Sequence, residues 1–293
     1  MKKMIYALGY FDGVHLGHRA LLNSCRDLAQ KTGCGCGAIT FSVHPQQLLQ
    51  ERQVQLINTN ADRNQLLSGT VDSVLELAFN DRLMQMPWQA FCRMLVEEHQ
   101  AAGFVCGSDF RFGKGGEGSA DLLQDYCQKA GLLCQVVGQQ YLDGIRISST
   151  HIRKLLEQGD IQAANRFLGH PHILSGIVQS GKQLGRTIGI PTANISYPRE
   201  LLEMPYGVYA CRVQTSRGIH TGMTNIGVRP TVSGEGVTVE THLLDFSGDL
   251  YGQDIKILFY AYLRSEQKFP NLSCLQKQVE KDKKSVEKVI QNY

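Results

Sequence analysis

Residues 9–22 read GYFDGVHLGHRALL. His15 and His18 frame Leu16-Gly17, directly after an apolar run and directly ahead of a helical pattern. Imidazoles at a strand-to-helix turn can donate hydrogen bonds to phosphate oxygens, and the free N–H groups at a helix start favour the same anion. Gly17 would let a ligand approach the backbone. When a nucleotidyl group is transferred, negative charge builds on the α-phosphate oxygens, and two fixed donors there lower the barrier. The same two histidines would also serve as a turn residue and a helix cap, so the HxGH spacing alone leaves both readings open.

Two further stretches bear on that choice. GSDFRFGKGGEG, residues 107–118, carries five glycines with Asp109, Arg111 and Lys114. ISSTHIRKLL, residues 147–156, opens a helix with Ser148, Ser149 and Thr150 and continues to Arg153. Hydroxyls, backbone N–H groups and a guanidinium suit a triphosphate. Each alone reads equally as a loop or a cap; three together at one sheet edge point to a nucleotide site.

A second set lies in GIVQSGKQLGRTIGIPTANIS, residues 176–196. Gly176 and Gly181-Lys182 approach P-loop spacing, but Gln183 stands where a P-loop has Ser or Thr, and no helix follows. What remains is a glycine loop followed by Pro191-Thr192-Ala193-Asn194, whose hydroxyl and amide are hard oxygen ligands for Mg²⁺ or phosphate. Glu240 falls on the side of its strand opposite Val239 and Thr241. It is either a general base or a solvated strand glutamate.

These residues need elements to hold them. Apolar runs at Met4–Leu8, Ala38–Phe41, Val71–Leu77, Phe104–Gly107 and Leu132–Val137 recur at about thirty residues, the length of a strand, helix and return. Continuous rather than alternating runs predict a parallel sheet covered on both faces. Leu21, Leu22, Cys25, Leu28 and Ala29 form one buried stripe of the first helix. After residue 170 the period becomes two: Tyr209, Cys211 and Val213 alternate with Arg212 and Gln214, and Val239, Thr241 and Leu243 with Glu240 and His242. That predicts an antiparallel sheet with one wet face, turning at Ser233-Gly234-Glu235-Gly236 and Ser247-Gly248-Asp249 as in a small barrel. Leu275, Val279, Val286 and Ile290 mark a solvated amphipathic helix at the end. Gly169 and Pro171 place the domain boundary between 168 and 169.

Composition limits the partners. In 293 residues, 30 Lys and Arg against 27 Asp and Glu leave a charge of +3, too small and dispersed for a nucleic-acid footprint. No stretch approaches the ~20 apolar residues of a membrane span. The nine cysteines are an odd number without zinc spacing, Cys34 and Cys36 included, and read as free thiols of a cytoplasmic protein. Neither motif set speaks to oligomeric state.

HxGH after a first strand, with ISSTxxR later, resembles the nucleotidylyltransferase superfamily, and FDGVHxGH with GxDFxFG resembles its FAD synthetase branch. The resemblance implies a Rossmann-like domain that adenylylates FMN with ATP and Mg²⁺. It further implies that His15 and His18 contact the ATP phosphates, that Gly9, Phe11, Asp12 and Gly13 shape the pocket, and that Asp109 lies near the nucleotide. Ser148, Ser149, Thr150 and Arg153 would hold the triphosphate. Thr40-Phe41-Ser42-Val43-His44-Pro45 departs from that branch's TFxPHP by lacking the first proline.

GRxxGxPTAN, NIGVRPTV at 225–232, VETHLLDFSGDLYG at 239–252 and LRSEQKF at 263–269 resemble the riboflavin kinase domain. That likeness implies a six-stranded barrel. Gly181, Gly185, Arg186 and Pro191 would then sit at the ATP site, Thr192 and Asn194 near Mg²⁺ and the phosphates, and Glu240 would deprotonate the riboflavin 5′-hydroxyl. The two likenesses follow the order of the bifunctional riboflavin kinase/FAD synthetase family of bacteria, with domains at 1–168 and 169–293 and with ATP, riboflavin and FMN as substrates. Three rivals differ in class: a single-activity FAD synthetase whose kinase half only binds flavin, a non-catalytic flavin sensor, and an adenylylating enzyme for a nicotinamide or pantetheine substrate.

Overall fold

The computed structural model describes residues 2–49, 54–180, 189–231 and 234–293. They form two compact units, Met1–Leu56 with Asn60–Ser149, and Ile57–Thr59 with Thr150–Tyr293.

The first unit is built on β1 (Met4–Leu8), β2 (Gly35–Phe41), β3 (Ser73–Leu77), β4 (Ala101–Gly107) and β5 (Leu133–Val137). All pairings are parallel, in the order β3-β2-β1-β4-β5. Each expected apolar run holds a strand; the three central ones, β2, β1 and β4, are buried on both faces, while the outer β3 and β5 are only partly covered. Ile5 and Ala7 of β1 join Leu22 and Cys25 of α1 (Leu16–Thr32) in one core. Tyr6 and Leu8 join the other, with Phe91 and Leu95 of α3 (Trp88–His99) and Leu123 of α4 (Ala120–Ala130); α2 (Asn60–Ser68) precedes β3. Strand order reverses at β1, leaving a crevice outside the carboxyl ends of β1 and β4, where open α/β sheets take their ligands.

The second unit contains β6 (His172–Ile177), β7 (Ala193–Ser196), β8 (Gly207–Thr215), β9 (Gly218–Thr231), β10 (Gly234–Leu243) and β11 (Asp254–Ser265). They pair antiparallel in the order β6-β11-β8-β9-β10-β7. A bridge between Gln179 and Asn194 brings the chain after β6 onto β7 and nearly closes a barrel. Tyr209, Cys211, Ile226, Val239 and Ile257 fill the interior. Two polar contacts of 3.0 Å link Cys211 Sγ, Thr224 Oγ1 and Thr241 Oγ1 there, satisfying the hydroxyls that burial takes from water. The turn expected at residues 233–236 begins at Ser233, which lies outside the described residues.

Packing divides the chain at 149/150, ahead of the 168/169 break that Gly169 and Pro171 suggest. The reason lies in α5 (Ser149–Glu157) and α6 (Ile161–Leu168). Ile161, Ala164, Phe167 and Leu168 are buried, Asn165 Nδ2 donates to the Phe259 carbonyl at 2.8 Å, and its Oδ1 accepts from the His172 backbone at 2.7 Å. A glycine stop followed by proline ends a helix; it does not say which core that helix joins.

The barrel's outer face corrects the wet face expected from the period of two. Val208 and Ala210 are buried there with Met223, Tyr260 and Ala261 under Val279, Val286 and Ile290 of α7 (Leu272–Ile290). The helix is fastened where Arg264 meets Asp282: Nε lies 3.1 Å from both carboxylate oxygens, Nη2 2.7 Å from Oδ2, and Gln278 donates to Oδ1 at 2.8 Å. The side chains are 16% and 6% exposed. Removing one partner of so buried a pair strands the other charge and costs about 3 kcal/mol. Asp282→Ala should therefore lower the stability of the second unit by roughly that amount in urea unfolding, while Asp245→Ala, at an exposed position outside this network, should change it little.

Candidate active sites

Between β1 and α1 the backbone is bent hard. Phe11, Gly13 and Val14 all have positive φ, 62°, 82° and 38°, and for a β-branched valine this is a strained conformation held by its surroundings. The restraint is visible: Phe11 and Val14 are buried, the Val14 N–H donates to the Phe11 carbonyl at 3.0 Å, and Ser149 Oγ donates to the Asp12 carbonyl at 3.0 Å. A Cβ on Gly9 would stand 3.1 Å from the Phe11 ring, so glycine there lets the ring lie across the strand end.

The bend delivers His15 to the N-cap of α1, where Nδ1 accepts the His18 backbone N–H at 3.2 Å. With Nδ1 accepting, a neutral His15 carries its proton on Nε2. The rings of His15 and His18 stack, centroids 3.6 Å apart and 13° from parallel. A Cβ on Gly17 would lie 3.2 Å from the His15 ring, so Gly17 makes room for that ring. Burial pushes the His18 pKa well below the usual histidine range, and His15 pushes it the same way. His18 is therefore neutral at pH 7, and its Nδ1 is buried without a hydrogen-bond partner.

These residues line a crevice of about 250 Å³. Of the residues expected to bind nucleotide or flavin, Gly9, Phe11, His15, Gly17, His18, Asp109, Ser148 and Ser149 are on its wall. Asp12 and Gly13 belong to the bend but not to the wall; nor do Thr150, which is exposed, and Arg153, which is half-buried, line it. Tyr10 and His44 pack on each other instead, ring centroids 4.5 Å apart, away from the lining. The loop after β4 is tied to its neighbours at two points: Ser108 N–H donates to the Val137 carbonyl and Lys114 N–H to the Met86 carbonyl, at 3.0 and 2.8 Å. Gly113, φ 74°, has no room for a Cβ, which would meet the Trp88 backbone at 2.7 Å.

One charged wall residue escaped the sequence reading. Arg146 ends a hairpin, Tyr141–Leu142 paired with Ile145–Arg146, and its Nη2 is hydrogen-bonded to Asp109 Oδ2. The hairpin turn, Asp143-Gly144 with φ 51° and 76°, is the Asp-Gly type that favours a tight hairpin. That dipeptide was the available signal.

In the second unit Pro191, Thr192 and Asn194 line a pocket of about 370 Å³ with the segment Phe246–Tyr251. Gly181, Gly185 and Arg186 lie outside the described residues. His242, whose pKa burial lowers, donates from Nδ1 to the Pro191 carbonyl at 2.8 Å and fixes the entry to β7. Glu240 is not on the pocket wall, yet the register sets it directly opposite Asn194 on one side and Asn225 on the other. Opposed residues share a face, with Cβ atoms about 5 Å apart. Asn225 Nδ2 in turn donates to Glu266 Oε1 at 3.2 Å. Asn225, which the sequence reading did not single out, thus completes a polar row across three strands.

Asn194 Nδ2 donates to the Thr192 carbonyl at 3.2 Å, so its Oδ1 remains for a ligand. Thr192 Oγ1 and Asn194 Oδ1 suit a hard cation carried mainly by phosphates. Among the described residues no cluster of three His, Cys, Asp or Glu could hold a metal by itself, and Mg²⁺ commonly uses one or two protein oxygens plus phosphate and water.

Comparison with known proteins matches both halves. A family model described as FAD synthetase covers residues 1–151, and one described as Riboflavin kinase covers 168–290. A Bacillus subtilis protein named Bifunctional riboflavin kinase/FMN adenylyltransferase is 34% identical over 297 residues, covering 99% of this chain and 93% of its own. Proteins of the same name from Pseudomonas fluorescens and Escherichia coli K12 are each 36% identical, over 95% of this chain and 90% of theirs. A crystal structure named Macrolide-efflux Protein, from Streptococcus pneumoniae, superposes with a TM-score of 0.87 at 27% identity, covering 98% of this chain and 94% of that one. With two modules matched in order and relatives similar along their whole length, this chain belongs to the bifunctional riboflavin kinase/FMN adenylyltransferase family.

Proposed function

We propose that this chain makes FAD from riboflavin in two steps, riboflavin to FMN at the barrel and FMN to FAD at the parallel sheet. The observation that carries the reading is that both donor sets stand assembled in one chain: the stacked His15–His18 pair at the N-cap of α1, and Asn194 and Glu240 opposed across β7 and β10.

In the first step the riboflavin 5′-hydroxyl oxygen attacks the γ-phosphorus of ATP, ADP leaves, and Glu240 takes the hydroxyl proton. In the second an FMN phosphate oxygen attacks the α-phosphorus of a second ATP and pyrophosphate leaves. His15 Nε2–H and His18 donate to the phosphate oxygens where charge accumulates. Both reactions need positioning and charge neutralisation more than covalent help. Thr192 and Asn194 would hold Mg²⁺, which when bound neutralises phosphate charge. Asp109, Ser148 and Ser149 shape the nucleotide site, and Pro191, with Gly181, Gly185 and Arg186, would contact ATP at the kinase site.

No helix among the described residues is long and apolar enough to cross a membrane. All nine cysteines are free thiols, which supports a reducing compartment, the cytoplasm.

The test is chromatography of flavins after incubating the purified protein with Mg·ATP and either riboflavin or FMN. FAD from both substrates is the expected result. FAD from FMN alone would leave the barrel as a flavin-binding remnant; FMN as the final product would do the same to the sheet.

A further inference from the structure

The crevice at β1 and β4 must receive a triphosphate and a flavin phosphate, yet its own charge is small. His18 is neutral there. Among the described residues on its wall, Arg146 is the sole side chain with a fixed positive charge, and Asp109 the sole one with a fixed negative charge. The two are bonded to each other. They are also 48% and 59% exposed, where water screens the pair and the attraction is small. The guanidinium is thus weakly engaged, at the mouth of a site whose substrates are anions. A phosphate is a stronger and bidentate partner for it than one solvated carboxylate.

We propose that Arg146 is a phosphate-binding residue of the adenylylation site, parked on Asp109 in the free protein and transferred to substrate phosphate on binding. The proposal rests on reading the crevice as that site. Asp109 then acts as a competitor. It holds the guanidinium within reach of the crevice, it is displaced when substrate enters, and it recaptures the guanidinium as pyrophosphate leaves. The hairpin supports this use, because its tight Asp143-Gly144 turn fixes the backbone that presents Arg146, while the side chain stays half in water.

The test is steady-state kinetics in both directions: KM for ATP and FMN in FAD synthesis, and KM for pyrophosphate when FAD is cleaved back to FMN and ATP. Arg146→Ala should raise the KM for pyrophosphate and for ATP by about tenfold or more, with a smaller change in kcat, as expected when a charged phosphate contact is lost. If the KM for FMN rises instead, the phosphate captured is that of FMN, and the exchange stands with that source. Asp109→Asn should lower the affected KM about threefold where Arg146 is present, and have no effect in the Arg146→Ala background. Arg146→Lys, which keeps the charge without the fork, should fall between parent and Ala and serves if Arg146→Ala does not fold.

Three results would overturn the proposal: unchanged KM values in both Arg146 variants; equal increases from Arg146→Ala and Asp109→Asn, the mark of a fixed strut; or the same gain from Asp109→Asn with and without Arg146, the mark of simple carboxylate repulsion. A parent protein that interconverts FMN and FAD in neither direction would remove the reading of the crevice itself, and would show this before any variant is compared.

Discussion

Protein carrying His18→Ala should form FAD from FMN and ATP at least about 10²-fold more slowly than the parent, a loss of roughly 2.7 kcal/mol of transition-state stabilisation. Its conversion of riboflavin to FMN should be nearly unchanged. The size follows from the environment. His18 sits in the crevice with a ring nitrogen buried and without a partner, held neutral at pH 7 by burial and by His15. A neutral imidazole on the crevice wall keeps one ring N–H to donate to an incoming oxygen, and preorganised donors act most strongly where water is excluded. Substitution of His15 would also remove the cap that accepts the His18 backbone N–H, mixing loss of catalysis with loss of helix stability of about 1 kcal/mol. His18 is therefore the cleaner test. Flavin chromatography reads both activities in one sample, and parallel loss of both without unfolding would refute separate sites.

The sequence discloses this site unevenly, for physical reasons. The central strands are legible because a strand buried on both faces has to be apolar at nearly every position, as Ile5, Tyr6, Ala7 and Leu8 are, and the outer ones, partly exposed, still keep short apolar runs between polar residues such as Glu76 and Gln135. The HxGH turn is legible only together with the loops at 107–118 and 147–156, because His15 and His18 would serve equally as a turn residue and a helix cap, and His15 does cap α1. Arg146 is hidden because its importance depends on an ion pair with a residue 37 positions away, and an arginine in a short hairpin carries no pattern of its own. The barrel shows the same limit. Alternation reveals that Val208 and Ala210 belong to different faces from Tyr209 and Cys211, but it reads the outer face as wet because α7 returns to cover it from residues 272–290. Likewise Asn225 and Glu240 are each visible as polar strand residues. Only the register places them opposite one another.

That register underlies the last prediction. Glu240→Gln should reduce phosphorylation of riboflavin by about 10² or more, the usual scale for removing a positioned general base, while supplied FMN is still adenylylated at the parent rate. Gln keeps the shape and an oxygen acceptor, so the Asn194–Glu240–Asn225 row is preserved across β7, β10 and β9, and only the ability to take a proton is lost. The contrast with Asn225→Ala sharpens the attribution. Asn225 flanks Glu240 and donates to Glu266, so its removal should disturb how the carboxylate is held and how flavin sits, raising KM along with a smaller fall in kcat. Glu240→Gln should instead lower kcat with little change in KM, because the proton is transferred in the transition state and not in the bound ground state. Equal kinase rates in Glu240→Gln and parent would dismiss Glu240 as the base. An equal KM defect in both variants would reduce it to a positioning residue, leaving the 5′-hydroxyl proton to pass directly to the transferred phosphoryl group or to water.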